Sequence, residues 1–67
     1  MTMGEKIKEL RKAKGLSQQK LAKKIGVTRV AISLWENNRF EPSLFTCIAF
    51  ADFFEVTMDE LCCREVN

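Results

Sequence analysis

Few side chains in this sequence are suited to covalent or metal chemistry. Three cysteines stand at Cys47, Cys62 and Cys63. An odd count with two adjacent residues is a poor disulfide framework. Adjacency also lacks the two-residue spacer usual between zinc thiolates. The three read as reduced thiols of a cytoplasmic protein. Histidine is absent, which excludes a histidine base, a His-containing triad and a His zinc ligand. No cofactor, metal or enzymatic activity is expected. The residues that do show a chemical bias are basic. The formal charge is only +2, but residues 1–39 carry ten basic side chains (Lys6, Lys8, Arg11, Lys12, Lys14, Lys20, Lys23, Lys24, Arg29 and Arg39). Against these stand Glu5, Glu9 and Glu36, a net +7. Residues 40–67 carry Arg64 against Glu41, Asp52, Glu55, Asp59, Glu60 and Glu65, a net −5. A split of this kind suits a polyanion-binding face on one side of the molecule.

The elements that must position this charge form one domain over residues 1–67. The composition is 46% hydrophobic and 30% charged, which fits a folded domain rather than a disordered chain. A chain this short buries only about 60% of its unfolded surface, so a deep pocket for a substrate or small-molecule ligand is not expected. The first residues lack an apolar core, so no signal peptide is expected. Apolar runs are a few residues long, so no membrane span is expected.

Between Gly15, Gly26, Asn37-Asn38 and Pro42 lie short segments with helical periodicity. The first opens on a capping box, Thr2-Met3-Gly4-Glu5, and Ile7, Leu10 and Lys14 share a face. The second opens at the N-cap Ser17, turns Leu21, Ala22 and Ile25 inward, and stops at Gly26. The third follows Thr28. Ile32 and Trp35 point inward, with Ala31 beside them. Val30, Ser33, Leu34 and Asn37 form the opposite face with Arg29 at its edge. The fourth starts at Pro42-Ser43 with Leu44, Cys47, Ile48, Ala51 and Phe54 as an apolar stripe. The fifth opens on a second capping box, Thr57 to Glu60, buries Met58 and Leu61, and frays toward Asn67. The reading is an all-α domain of five short helices. Two short helices joined tightly at Gly26-Val27-Thr28, with small Ala22 on the first and apolar Ile32 on the second, meet the packing needs of a helix-turn-helix over about residues 17–37.

The stretch Leu16 to Asn37, LSQQKLAKKIGVTRVAISLWEN, resembles the Cro/repressor-type (XRE) helix-turn-helix. The resemblance extends from Ile7-Lys8-Glu9-Leu10-Arg11 through Pro42-Ser43-Leu44 to Val56–Leu61. It implies a compact five-helix, lambda-repressor-like DNA-binding domain. Carried over by position, the third helix is the recognition helix of the major groove. Arg29 is then the residue for a bidentate contact to guanine, Val30 and Leu34 for thymine methyls, and Ser33 for a base edge. Ser17, Gln18 and Lys20 at the start of the second helix, with Thr28, Asn37 and Arg39, are expected at phosphates. Arg11 and Glu36 match a structural ion pair between the first helix and the end of the recognition helix. Lys20 replaces an acidic residue common in the family, and Asn38 a glycine. Val30 and Leu34 make the reading face more apolar than usual, which shifts the expected readout toward methyl contacts. Trp35 is expected in or near the core.

By phase, Phe50 and Phe53 fall off the apolar stripe of the fourth helix. With Thr57 and Met58 they are expected to form a homodimer interface within helices four and five, about residues 43–64. The resulting expectation is a cytoplasmic transcriptional regulator, a repressor, that binds a palindromic double-stranded operator as a homodimer. The alternative is an antitoxin-like module that neutralises a partner protein and also binds DNA.

Overall fold

The computed structural model describes residues 1–63, and Arg64 to Asn67, where the expected fraying falls, lie outside the described residues. Five helices follow in order: α1 (Met3–Ala13), α2 (Gln18–Ile25), α3 (Arg29–Glu36), α4 (Leu44–Phe54) and α5 (Met58–Leu61). Each is started by a hydroxyl that accepts from the amide three residues on: Thr2 from Glu5 at 3.2 Å, Ser17 from Lys20 at 3.1 Å, Thr28 from Ala31 at 3.1 Å, Ser43 from Thr46 at 3.2 Å and Thr57 from Glu60 at 3.1 Å. At Thr2 the box is reciprocal, because Glu5 Oε1 accepts from the Thr2 amide at 3.0 Å. At Thr57 it is the hydroxyl half of the expected box that forms.

A left-handed residue stands at the end of each of the five helices, Gly15 (φ 69°) following α1 and Cys63 (φ 56°) following α5. Gly26 closes α2 with φ 88°, Glu55 closes α4 with φ 56°, and Asn38 follows α3 with φ 59°. Such a conformation needs glycine or tolerates asparagine. Glutamate at Glu55 adopts it at a steric cost.

Ile7, Leu21, Ala22, Ile32, Cys47, Phe50, Ala51, Phe54 and Leu61 form the core. The Trp35 ring meets the edge of Phe50 at 5.8 Å, and Phe50 in turn lies parallel to Phe54 at 6.1 Å. Two expectations for α4 are corrected. Phe50 is fully buried, while Leu44 and Ile48, expected inward, are 66% and 42% exposed. The inward arc is set by Cys47, Phe50, Ala51 and Phe54, spaced at three and four residues. α4 contains a single charged residue, Asp52, so its apolar pattern alone does not define which side turns inward. The large Phe50 ring, seated against Trp35, fixes that choice.

One close approach ties α1 to α3. A Cβ on Gly4 would run into the Trp35 carbonyl, and would meet Asn38 Oδ1 at 2.6 Å and the Glu36 carbonyl at 2.9 Å. Only glycine at this point lets the start of α1 lie against the end of α3.

Candidate nucleic-acid interface

The unit formed by α2, its turn and α3 is held from the backbone outward. The amides of Gly26 and Val27 both donate to the Ala22 carbonyl, at 2.8 and 2.9 Å. This folds the chain back at the end of α2, and the buried Ala22 methyl leaves room for α3 to pack against it. Ile32 and Glu36, one turn apart, are the buried residues of α3. Fixing that side leaves Arg29 and Val30 exposed in the first turn, with Ser33 and Leu34 half-buried behind them and Asn37 exposed at the far end.

Glu36 is the hub of a buried polar cluster. Its Oε2 accepts from Arg11 Nε at 2.7 Å, and its Oε1 from Arg11 Nη2 at 3.1 Å. This is a bidentate pair, with Glu36 2% and Arg11 11% exposed at the side chain. Arg11 Nη1 donates to the Leu16 carbonyl at 2.8 Å, so one guanidinium binds α3 and the α1–α2 loop together. Gln18 Nε2 supplies a third donor to Glu36, at 3.1 Å. Among the described residues, no buried side-chain nitrogen or oxygen lacks a partner. The Gln18 contact is not legible in the sequence, which points Gln18 to phosphate alone. A polar residue in the first turn of a helix carries no local sign that it will reach a carboxylate 18 positions away.

The other candidate residues fall as follows. The Ser17 and Thr28 hydroxyls are occupied as caps on exposed helix starts. Lys20 and Arg39 are exposed, and the Arg39 amide donates to the Leu34 carbonyl at 2.9 Å. Asn37 Nδ2 donates to the Ser33 carbonyl at 2.8 Å and approaches Ser33 Oγ at 3.4 Å, so these two side chains meet at the end of α3. The α2 and α3 N-termini therefore present free cationic side chains beside helix ends of positive dipole, a setting that favours phosphate and base-edge acceptors.

The expected dimer residues are not brought together as one surface. Phe50 is fully buried and unable to touch a partner, which removes the centre of that expectation. Phe53 packs edge-on against Phe54 at 5.1 Å and lies under Lys14 Nζ, 5.4 Å from the ring centre. Met58 is half-buried against the core, and Thr57 is exposed as the α5 cap. Among the described residues, no group of three or more cysteine or acidic side chains is placed to hold a metal ion, and no helix is long and apolar enough to cross a membrane.

Comparison with known proteins matches a helix-turn-helix family over residues 7–61. The HTH-type transcriptional activator BcrR of Enterococcus faecalis is 41% identical over 61 residues, covering 91% of this chain, which spans 30% of the activator's length. The crystal structure of the P22 c2 repressor in complex with a synthetic operator superimposes with a TM-score of 0.90 at 34% identity, covering 97% of this chain and 98% of that one. The restriction-modification controller protein C.AhdI of Aeromonas hydrophila superimposes with a TM-score of 0.80 at 34% identity, covering 88% and 89%.

Proposed function

The chain belongs to the Cro/repressor-type helix-turn-helix family, and from that premise we propose that it is a DNA-binding transcriptional regulator. It acts in the cytoplasm as a repressor, on a palindromic double-stranded operator that it binds as a homodimer. The observation that carries this reading is the division of α3. Ile32 and Glu36 anchor one side, while Arg29 and Val30 project exposed from the first turn.

In the major groove, the Arg29 fork matches the two acceptors of a guanine edge. Val30 supplies a methyl-sized apolar contact for thymine, with Leu34 and Ser33 one turn further on. Ser17, Gln18, Lys20 and Thr28 sit at the helix starts that approach the backbone, and Asn37 and Arg39 provide a second phosphate clamp after α3. The amide nitrogen of Gln18 already serves Glu36, so its contribution to phosphate comes through placement of the α2 backbone amides. Arg11 and Glu36 stay inside as the strut beneath the recognition helix.

Selection of bound sequences from a random DNA pool tests this reading. A two-fold symmetric motif is expected, with half-sites about 34 Å apart. Arg29→Ala is expected to cost about 1–3 kcal/mol on the selected site and to relax one base position. Equal loss on selected and random DNA would remove Arg29 from base reading.

A further inference from the structure

A cleft of about 470 Å³ opens where the start of α1 meets the end of α3 and the loop to α4. None of the residues proposed to read bases lines it, so the DNA-binding reading leaves it unexplained. Met3, Trp35, Phe40 and Pro42 give it apolar and aromatic walls. Trp35 is half-buried, with its ring held 5.8 Å from that of Phe50. Phe40 is 66% exposed beside buried Pro42. The volume falls within the range of small-molecule sites, about 300–1,000 Å³. Chain length argued against a deep pocket, and this is a surface cleft formed between elements, with Asn38, Phe40 and Glu41 exposed along it.

The charge of the cleft has one sign. Among the described residues no lysine or arginine lines it, and the Glu41 carboxylate forms no ion pair. The Trp35 carbonyl, in the last turn of α3, lies against Gly4, another lining residue, and Asn38 Oδ1 lies beside the same glycine. The C-terminal end of a helix carries partial negative charge, which favours a cation. The start of α1 borders the cleft with the opposite sign, but that end already holds its anion: Glu5 Oε1 accepts from the Thr2 amide and hydroxyl, each at 3.0 Å. The negative field reaches through the wall. Cys47 Sγ lies 3.9 Å from Met3 Sδ and 3.7 Å from the Pro42 carbonyl. Burial pushes this thiol above its ordinary range, and the negative charges of Cys62 and Glu41, both lining residues, push it further. Aromatic rings add to the same preference, because their faces attract cations. An anion meets no countercharge here, and a neutral ligand gains nothing from Glu41.

We propose that this cleft binds a small organic cation, an ammonium ion with an aromatic or alkyl body. Its charge is held by Glu41 and the carbonyl end of α3, and its body by Phe40, Met3 and Pro42. The site is separate from the reading edge of α3 and does not depend on the DNA-binding reading.

Nuclear magnetic resonance titration of the full chain, followed at its backbone amides, tests the proposal. The probes are benzyltrimethylammonium as the cation, benzyl alcohol as a neutral analogue and benzoate as an anion. The cation is expected to give saturable shifts at the amides of Gly4, Asn38, Phe40 and Cys62, and to bind more weakly as salt rises. Benzyl alcohol is expected to bind at least about three-fold more weakly, and benzoate to leave these amides in place. Glu41→Gln is expected to weaken the cation about two- to five-fold and to leave benzyl alcohol unchanged. Phe40→Leu is expected to weaken the cation by a similar factor, about two- to five-fold. Both positions are exposed, and the amide spectrum of each variant shows in the same measurement that the fold is kept. Shifts that fall outside the cleft, equal binding of the three probes, or a cation affinity untouched by Glu41→Gln or by Phe40→Leu would overturn the proposal.

Discussion

Replacing Glu36 with alanine strands the Arg11 guanidinium, which stays buried between α1 and α3 with only the Leu16 carbonyl as an acceptor. Two donor bonds of 2.7 and 3.1 Å are lost, together with the 3.1 Å bond from Gln18. Leaving one member of a buried ion pair uncompensated typically costs about 3–5 kcal/mol. A domain of 67 residues has a total stability of roughly 3–10 kcal/mol, at about 0.05–0.15 kcal/mol per residue. The variant is therefore expected to lose a third or more of its stability, and the melting temperature to fall by at least about 12 °C at about 4 °C per kcal/mol for a chain of this size. The double variant Arg11→Met/Glu36→Leu removes both charges and fills their space with apolar atoms. It is expected to recover most of the loss, because the desolvation penalty disappears with the charges. Urea denaturation of wild type, Arg11→Met, Glu36→Leu and the double gives the coupling, expected at about 2 kcal/mol or more. Additive single effects, or a Glu36→Ala cost below about 1 kcal/mol, would refute the account of Glu36 as a desolvated hub.

Gly4→Ala drives a methyl into the Trp35 and Glu36 carbonyls, which are fixed in a helix and do not swing aside; a loss of about 1–3 kcal/mol in thermal denaturation is expected. Glu55→Gly removes a left-handed strain at φ 56° and is expected to raise stability by about 1 kcal/mol in the same assay. The Thr2 backbone amide, and secondarily its hydroxyl, hold the Glu5 carboxyl below its ordinary value of 4.5. A carboxyl lowered by folding stabilises the native state above its unfolded value, and that contribution fades as pH falls through the lower folded one. In a carboxylate titration followed by nuclear magnetic resonance, Glu5 is expected to protonate below pH 4.5, and Thr2→Val is expected to move it part of the way back.

The sequence disclosed most where a residue acts on its own neighbours. Hydroxyls at Thr2, Ser17, Thr28, Ser43 and Thr57 mark helix starts through a bond three residues long, and Gly26 marks a stop through its own φ. The two sides of α3 were legible through the resemblance, which pairs Glu36 with Arg11; polarity alone does not divide them, since charged Glu36 is buried and apolar Val30 is exposed. The sequence disclosed less for α4, where apolar residues surround the axis and the rotation is decided by Trp35, 15 positions from Phe50. The bond between Gln18 and Glu36 escaped for a similar reason: it depends on how α2 and α3 cross, which neither segment encodes alone. The approach of Gly4 to α3 also lies beyond a local reading, since nothing around Gly4 calls for a residue without a side chain.

The separation of duties within α3 bears on how such a protein can diverge. Its anchor is the pair Ile32 and Glu36, while among the described residues Arg29 and Val30 make no side-chain hydrogen bond and no core contact. Exchanges at these two positions alter what the helix presents to a groove without taxing the interior that holds it there. The scaffold thus tolerates drift at the proposed reading edge, and under that reading a duplicated copy can acquire a new target through a few surface changes long before its fold is put at risk.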